Sequence, residues 1–410
     1  MIEPFLRYRN KLQAPHAPAM RGRIAELQQT LIREGIDAAW LTYSRDIFYY
    51  TGTAQPSVLV ITPEDYSLFV RYGIDYALQE SFLDKARIIE ERRTDILKTF
   101  LDERLSCKRI GTQLDVLPVT HYMGLQKALS SYEIVNISPS ILEQRKKKDS
   151  QEIACIREAC RAVHAGYEAV LANLKPGISE LELAAAIEYA HRRAGHEGTL
   201  FFRLHDFFMS NGPLASGENL LQQSGALLSL TGRGMSAAVP AGPSLRTIRK
   251  GDLLIVDIPA QIGGYHADQT RTYALGKASD EARRMFQALL EISNHLVHFI
   301  RPGIKASEVY HAALKKAARL GFSDNFLSLG NGRKSHLVGH GVGLECNEPP
   351  LLSAADESVI GSGFVLTIEL HLLHPSTGAV KLEDMVLVHP NGCEILTTAP
   401  RALMEITGDR

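Results

Sequence analysis

The stretch GDLLIVDIPAQIGGYHAD, residues 251–268, decides how this chain is read. Its apolar run Leu253–Val256 ends in Asp257, and a second acid, Asp268, follows eleven residues later beyond a Gly-Gly pair. A carboxylate at the end of so apolar a strand is costly to bury unless it is paired, protonated or bound to a metal. The pattern recurs. GFVLTIE, residues 363–369, again places an acid, Glu369, six residues after a glycine, and VKLEDMVLV, residues 380–388, carries Glu383 in the next strand. Each region supplies one apolar strand pair bearing two acids.

Upstream of each acid pair lies a second echo. KPGISELE (175–182) runs to Gly195 and RPGIKASE (301–308) runs to Gly321, both spanning 21 residues from a basic-Pro-Gly-Ile turn through a helix that glycine ends. Two anchors in the same order indicate an internal repeat of two α-α-β-β halves about a pseudo-two-fold axis. Gly195 and Gly251 are 56 residues apart, whereas Gly321 and Gly363 are 42 apart, so the first half holds about 14 extra residues. The glycine-punctuated stretch Ser210–Gly234 is where they fit, and it reads as a lid or substrate-selecting loop at the pocket rim.

Before the repeat the chain alternates helix and strand patterns. Ile24, Leu27 and Leu31 have helix spacing with Gly35 as a stop, and strands are expected at Ala38–Leu41, Val58–Ile61, Ser67–Val70, Arg109–Thr112 and Glu133–Ile137. This predicts an α/β domain over residues 1–145. The basic run Arg145–Lys148 reads as a solvated linker, and the capping-box spacing Asp149-Ser-Gln-Glu152 opens a second domain over 149–410.

With 410 residues, 45% hydrophobic content, 22% charged content and a formal net charge of −1, the chain has ordinary globular composition. That charge gives no reason to expect nucleic acid or an anionic membrane as partner, and no apolar run reaches the roughly 18 residues of a membrane span. Five cysteines without a CxxC pair suggest reduced thiols and a cytoplasmic setting.

Four strand-borne acids would repel one another, and divalent cations relieve that repulsion. His340, in HLVGHGVG (336–343), adds a nitrogen ligand within a glycine-lined turn. Four carboxylates and one imidazole suit two ions of Mn, Zn, Co or Fe, whereas Ca favours an all-oxygen cage.

These residues resemble the pita-bread metallopeptidase family, which includes methionine aminopeptidase, Xaa-Pro aminopeptidase, prolidase and creatinase. VDIPAQIGGYHAD matches the first two ligands, VGHGVG the histidine, LTIEL the first glutamate and VKLEDMVLV the second; RIAELQQTLIREGIDAAWLTYSRDIFYYTGT (23–53) resembles the family's N-terminal domain. The resemblance implies a creatinase-like α/β domain followed by a pita-bread α/β domain, a homodimer, and a small peptide or amide substrate. It assigns Asp257 to one metal, His340 and Glu369 to the other, and Asp268 and Glu383 to both. Glu369 would take the proton from the attacking water, and His336 would match a pocket histidine of the Xaa-Pro-cleaving branch.

The chain also departs from that pattern. Histidines expected 18 residues before Asp257 and seven after His340 are replaced by Val239 and Asn347, of which only Asn347 can donate a hydrogen bond. His371, two residues beyond Glu369 on one strand, faces the same side and is a candidate replacement. An arginine expected two before Glu383 is Lys381, which keeps the charge and loses the bidentate fork. These departures leave two alternatives beside a peptidase: a lyase or small C–N hydrolase on the same metal scaffold, and a catalytically silent binding protein.

Overall fold

The structure, a computed structural model, describes residues 17–103, 108–204, 212–225 and 229–407, so Cys107 and parts of the inserted segment (210–211 and 226–228) lie outside it. The chain divides into two compact units, Met1–Arg145 and Lys146–Arg410.

In the first unit, helix α1 (Ala17–Glu34) stops where Gly35 takes a left-handed φ of 62°. Six strands follow: β1 (Ala38–Leu41), β2 (Ser57–Ile61), β3 (Tyr66–Val70), β4 (Ile88–Glu90), β5 (Arg109–Thr112) and β6 (Glu133–Asn136). They form one sheet in the order β4-β3-β2-β1-β5-β6. β2 and β3 make an antiparallel hairpin, whereas β5 and β6 run parallel to β1's direction and need helical crossovers. β1 and β2 are buried along their whole length, which is why they read as continuous apolar runs without alternation.

The second unit opens on helix α2 (Ser150–Asn173), whose start is the expected capping box: the Asp149 side chain accepts from the Gln151 and Glu152 amides, and Glu152 accepts from the Asp149 amide. Helix α3 (Glu180–Arg193) has the same device at Ser179 and Glu182. The first half continues through β7 (Leu214–Ser216), β8 (Leu253–Asp257), β9 (Ala260–Ile262), β10 (Tyr265–Ala267) and β11 (Thr270–Leu275). The second half brings α4 (Asp280–Phe299), α5 (Ala306–Arg319), the short pair β12 (Ser328–Gly330) and β13 (Arg333–Lys334), then β14 (Leu337–Gly341), β15 (Glu348–Ser353), β16 (Val365–His374), β17 (Gly378–His389), β18 (Gly392–Ile395) and β19 (Met404–Ile406). Two sheets result, β19-β11-β8-β7 and β15-β14-β16-β17-β18.

The two halves share backbone wiring. Gly177 donates to Ile248 and Glu180 to Arg246 in the first; Gly303 donates to Ile360 and Ala306 to Ser358 in the second. The bridges Ser179–Thr247 and Lys305–Val359 complete the match. This is the pseudo-two-fold pita-bread architecture. In one half Val170, Leu183, Ile187, Leu254 and Tyr273 form a core between helices and strands; in the other Leu289, Ile292, Leu366, Ile368 and Leu370 do so.

The basic run is not the solvated linker that the sequence suggests. Only Lys147 is exposed. In the first unit Arg145 pairs with buried Asp46 at 2.7 Å; in the second Lys148 pairs with Glu348 at 3.2 Å and Lys146 donates to Ser358 at 3.0 Å. Each cation has a specific acceptor, which offsets the cost of removing it from water.

Candidate metal centre

Strand pairing sets the centre. In the β16–β17 hairpin Glu369 stands directly opposite Glu383, and in the β8–β11 pair Asp257 stands opposite Thr270. Directly opposed residues have Cβ atoms only about 5 Å apart, so the register forces two glutamates together. Asp268 lies in the link from β10 to β11, and His340 lies on β14, which pairs with β16 through Gly341 and Leu366. None of the five is more than 9% exposed.

Their ligand atoms fall into two groups, each within 4.8 Å: Asp268, His340 and Glu383, and Asp257, Glu369 and Glu383. Glu383 belongs to both. His340 Nε2 also lies 3.9 Å from Glu369 Oε2. The His340 Nδ1 is 3.0 Å from the Gly341 carbonyl, which can only accept. Nδ1 therefore carries the proton and leaves the Nε2 lone pair toward the carboxylates. Close packing holds β14 here: a Cβ at Gly339, φ 152°, would lie 2.1 Å from the Thr367 carbonyl oxygen.

The surrounding side chains orient the acids. Thr270 donates to Glu383 Oε2 at 2.8 Å, and the Cys346 thiol donates to Asp268 Oδ2 at 3.3 Å. Lys381 is wholly buried, with its ammonium bonded to Asp257 Oδ2 and 2.6 Å from Glu369 Oε1. Burial raises the Glu369 carboxyl, but Lys381 and His340 outweigh it and hold the group at about 2. Asp268 and Glu383 respond oppositely: burial and then neighbouring carboxylates push both up. One ammonium does not balance four carboxylates. Among the described residues, Asp268 Oδ1 and Glu383 Oε1 are buried with no hydrogen-bond partner. An anionic, oxygen-rich set with one imidazole and two orphaned oxygens fits divalent cations.

The remaining candidates are dispersed. His371 is 2% exposed, and its Nε2 has no partner among the described residues. Burial and then Lys381 lower its pKa to about 4, so the ring is neutral at pH 7. His336 is exposed on the approach to β14, Asn347 is half-buried just before β15, and Val239 is half-buried in the segment between β7 and β8. Thr270 and Cys346 are contacts that no sequence motif announces. Nor does the sequence reveal Ser229, from the inserted segment, whose buried hydroxyl helps lower Glu369 without making a full hydrogen bond. Described parts of the segment are anchored: Leu230 is 2% exposed, and buried Glu180 accepts from Ser216 and Asn219 within it and from Ser244 beyond it.

Residues 154–390 match the signature described as Metallopeptidase family M24, and residues 23–147 match the Creatinase/Prolidase N-terminal domain. The chain is 26% identical to an uncharacterized peptidase, YqhT, of Bacillus subtilis, covering 93% of this chain and 99% of that protein. It is also 26% identical to an Xaa-Pro dipeptidase of Pyrococcus furiosus, covering 94% and 100%. The crystal structure of the prolidase from Pyrococcus horikoshii OT3 superposes with a TM-score of 0.78 at 26% identity, covering 93% of this chain and all of that one.

Proposed function

The chain belongs to metallopeptidase family M24, and from that premise we propose that it is an Xaa-Pro peptidase-like aminopeptidase or dipeptidase that hydrolyses a peptide or peptide-like amide at two divalent ions of Mn, Zn, Co or Fe. The observation that carries this reading is the convergence of Asp257, Asp268, His340, Glu369 and Glu383 into two groups sharing Glu383. Divalent ions held there supply an acidified water and polarise the scissile carbonyl. Glu369, kept ionised by Lys381, would take the proton from that water.

His371 contributes differently from the histidines expected at Val239 and Asn347. Its ring is neutral, and the backbone at Leu327 and Ser328 favours a proton on the edge turned toward it. The partnerless Nε2 then offers a lone pair, suited to a substrate N–H and not to an oxyanion. Asn347 remains the neutral donor for developing negative charge. A homodimer, the cytoplasm as setting and manganese as the working ion complete the proposal. The four cysteines among the described residues, all free thiols, support the second of these.

The test is a panel of dipeptides, including Xaa-Pro, and small amides after chelation, with Mn, Co or Zn restored. Metal-dependent cleavage of at least one member is expected. Glu383→Gln should lose both metal retention and turnover, by more than the 10–100-fold that an outer hydrogen-bond partner is worth. Full activity in that variant, or cleavage that chelation leaves untouched, defeats the reading.

A further inference from the structure

The first unit holds a cavity that the metal centre does not use. β1 runs parallel to β5 and antiparallel to β2, and β2 runs antiparallel to β3, so the carboxyl ends of β1, β3 and β5 share one edge of the sheet. From β1 the chain goes to β2 on one side, whereas from β5 it goes to β6 on the other. In open α/β sheets ligands settle in the crevice that such a divergence leaves. Thr42, Thr112 and Arg71, at those three ends, line a cavity of about 690 Å³, a size that encloses a small organic molecule.

The lining has a definite chemistry. Trp40 and Leu125, 2% and 9% exposed, give it an apolar wall. Arg71 is half-buried and fixed at the rim by its amide, which donates to the Pro56 carbonyl at 2.8 Å. Its guanidinium has no hydrogen bond or ion pair among the described residues. The helices Ser44–Thr51, Thr94–Asp102 and Val119–Ala128 begin at the cavity, which Ser44, Thr94 and Thr120 line, and none of the three has a side-chain cap. Their unpaired first amides add partial positive charge. Among the described residues no Asp or Glu lines the cavity; the first-turn acids Asp46 and Asp95 stand outside it, and Asp46 is bonded to Arg145.

We propose that this cavity, built from first-unit residues alone, is a second binding site, for a small organic carboxylate with an aromatic or apolar body. The guanidinium fork of Arg71 matches a carboxylate in two parallel hydrogen bonds. The three helix starts favour the same charge, and the wall of Trp40 and Leu125 takes the body. A free amino acid fits poorly, because no lining acid meets its ammonium. The site stands whether or not the metal centre is read correctly.

The test is titration of the chelator-treated full-length protein with hydrocinnamate, read by calorimetry and by the emission of Trp40, the only tryptophan in the chain. A saturable heat with a change in that emission is expected. Phenylalanine and the neutral amide of hydrocinnamate should bind at least about tenfold more weakly. Arg71→Gln should weaken hydrocinnamate about 10–100-fold, the worth of a charge-assisted hydrogen bond. Gly124→Leu, at a lining position where an added Cβ meets no atom within 4 Å, should fill the cavity and abolish the response. Adding Mn²⁺, or the substitution Glu383→Gln, should leave the affinity unchanged. Absence of both saturable heat and emission change overturns the site, whatever the metal centre does. Binding that Mn²⁺ or Glu383→Gln alters puts the probe at the metal centre and overturns it too, and equal binding of the amide overturns the choice of a carboxylate. Should Gly124→Leu not fold, Arg71→Gln decides alone, and unchanged affinity in that variant overturns the site.

Discussion

Thr270 shows how much a single hydroxyl contributes in a site of this kind. It is completely buried, stands opposite Asp257, and donates to Glu383 Oε2. Glu383 belongs to both ligand groups, so any freedom in its carboxylate is felt at both. Replacing Thr270 by Val keeps the side-chain shape and deletes the donor. Mn²⁺ affinity should fall about 10–100-fold, the usual cost of losing an outer partner of a metal ligand, and calorimetry reads it directly. An unchanged dissociation constant would show that the strand pairing alone orients Glu383. The hydroxyl could not have been read from the sequence as functional, since Thr270 sits in the GYHADQTRT run like any strand threonine. The four acids and the imidazole were legible because polar groups set in apolar strands contradict their surroundings. Lys381 was only half legible. Its difference from arginine is visible in the sequence, but its double contact to Asp257 and Glu369 depends on side-chain depth.

Helices and strands differ in what their sequences disclose. The helix starts at Asp149 and Ser179 are local chemistry, a capping acceptor with a glutamate three residues on, and the structure has both boxes. The opposition of Glu369 to Glu383 is a matter of register, which only the assembled hairpin fixes. The Ser210–Gly234 segment was legible as an excess of length between two related anchors, but the hold of buried Glu180 on its Ser216 and Asn219 was not. Helix packing can be probed at Gly166 on α2, where α3 comes close. A Cβ there would lie 2.1 Å from His191 Nε2 and 3.0 Å from Ile187 Cγ2, and His191 is itself buried. Alanine improves helix propensity by about 1 kcal/mol, whereas forcing apart a packed interface costs about 1–3 kcal/mol. The buried ring has little room to turn, so the packing cost wins. Gly166→Ala should lower the melting temperature of the second unit, and a rise would mean that His191 relocates freely.

At the scale of the whole molecule, the two units have separate cores, and all five ligand candidates fall in the second, Lys146–Arg410. Mutual repulsion among buried carboxylates works against the folded state of that unit alone, so relief by metal should be confined to it. A ligand that binds only the folded state stabilises it by RT ln(1 + [L]/Kd), about 2.7 kcal/mol at a hundredfold excess over Kd. For a domain of this size that corresponds to roughly 5–10 °C in Tm. Calorimetry of the chelated full-length protein should resolve a transition of the second unit that Mn²⁺ moves upward by this amount, while the transition of Met1–Arg145 stays in place. Glu383→Gln should erase the shift and leave the first-unit transition where it was. If both transitions moved together, the units would be unfolding as one cooperative body. If neither moved, Mn²⁺ would not be binding the folded chain, and the five-residue centre would have to be read as an ion-pair network around Lys381.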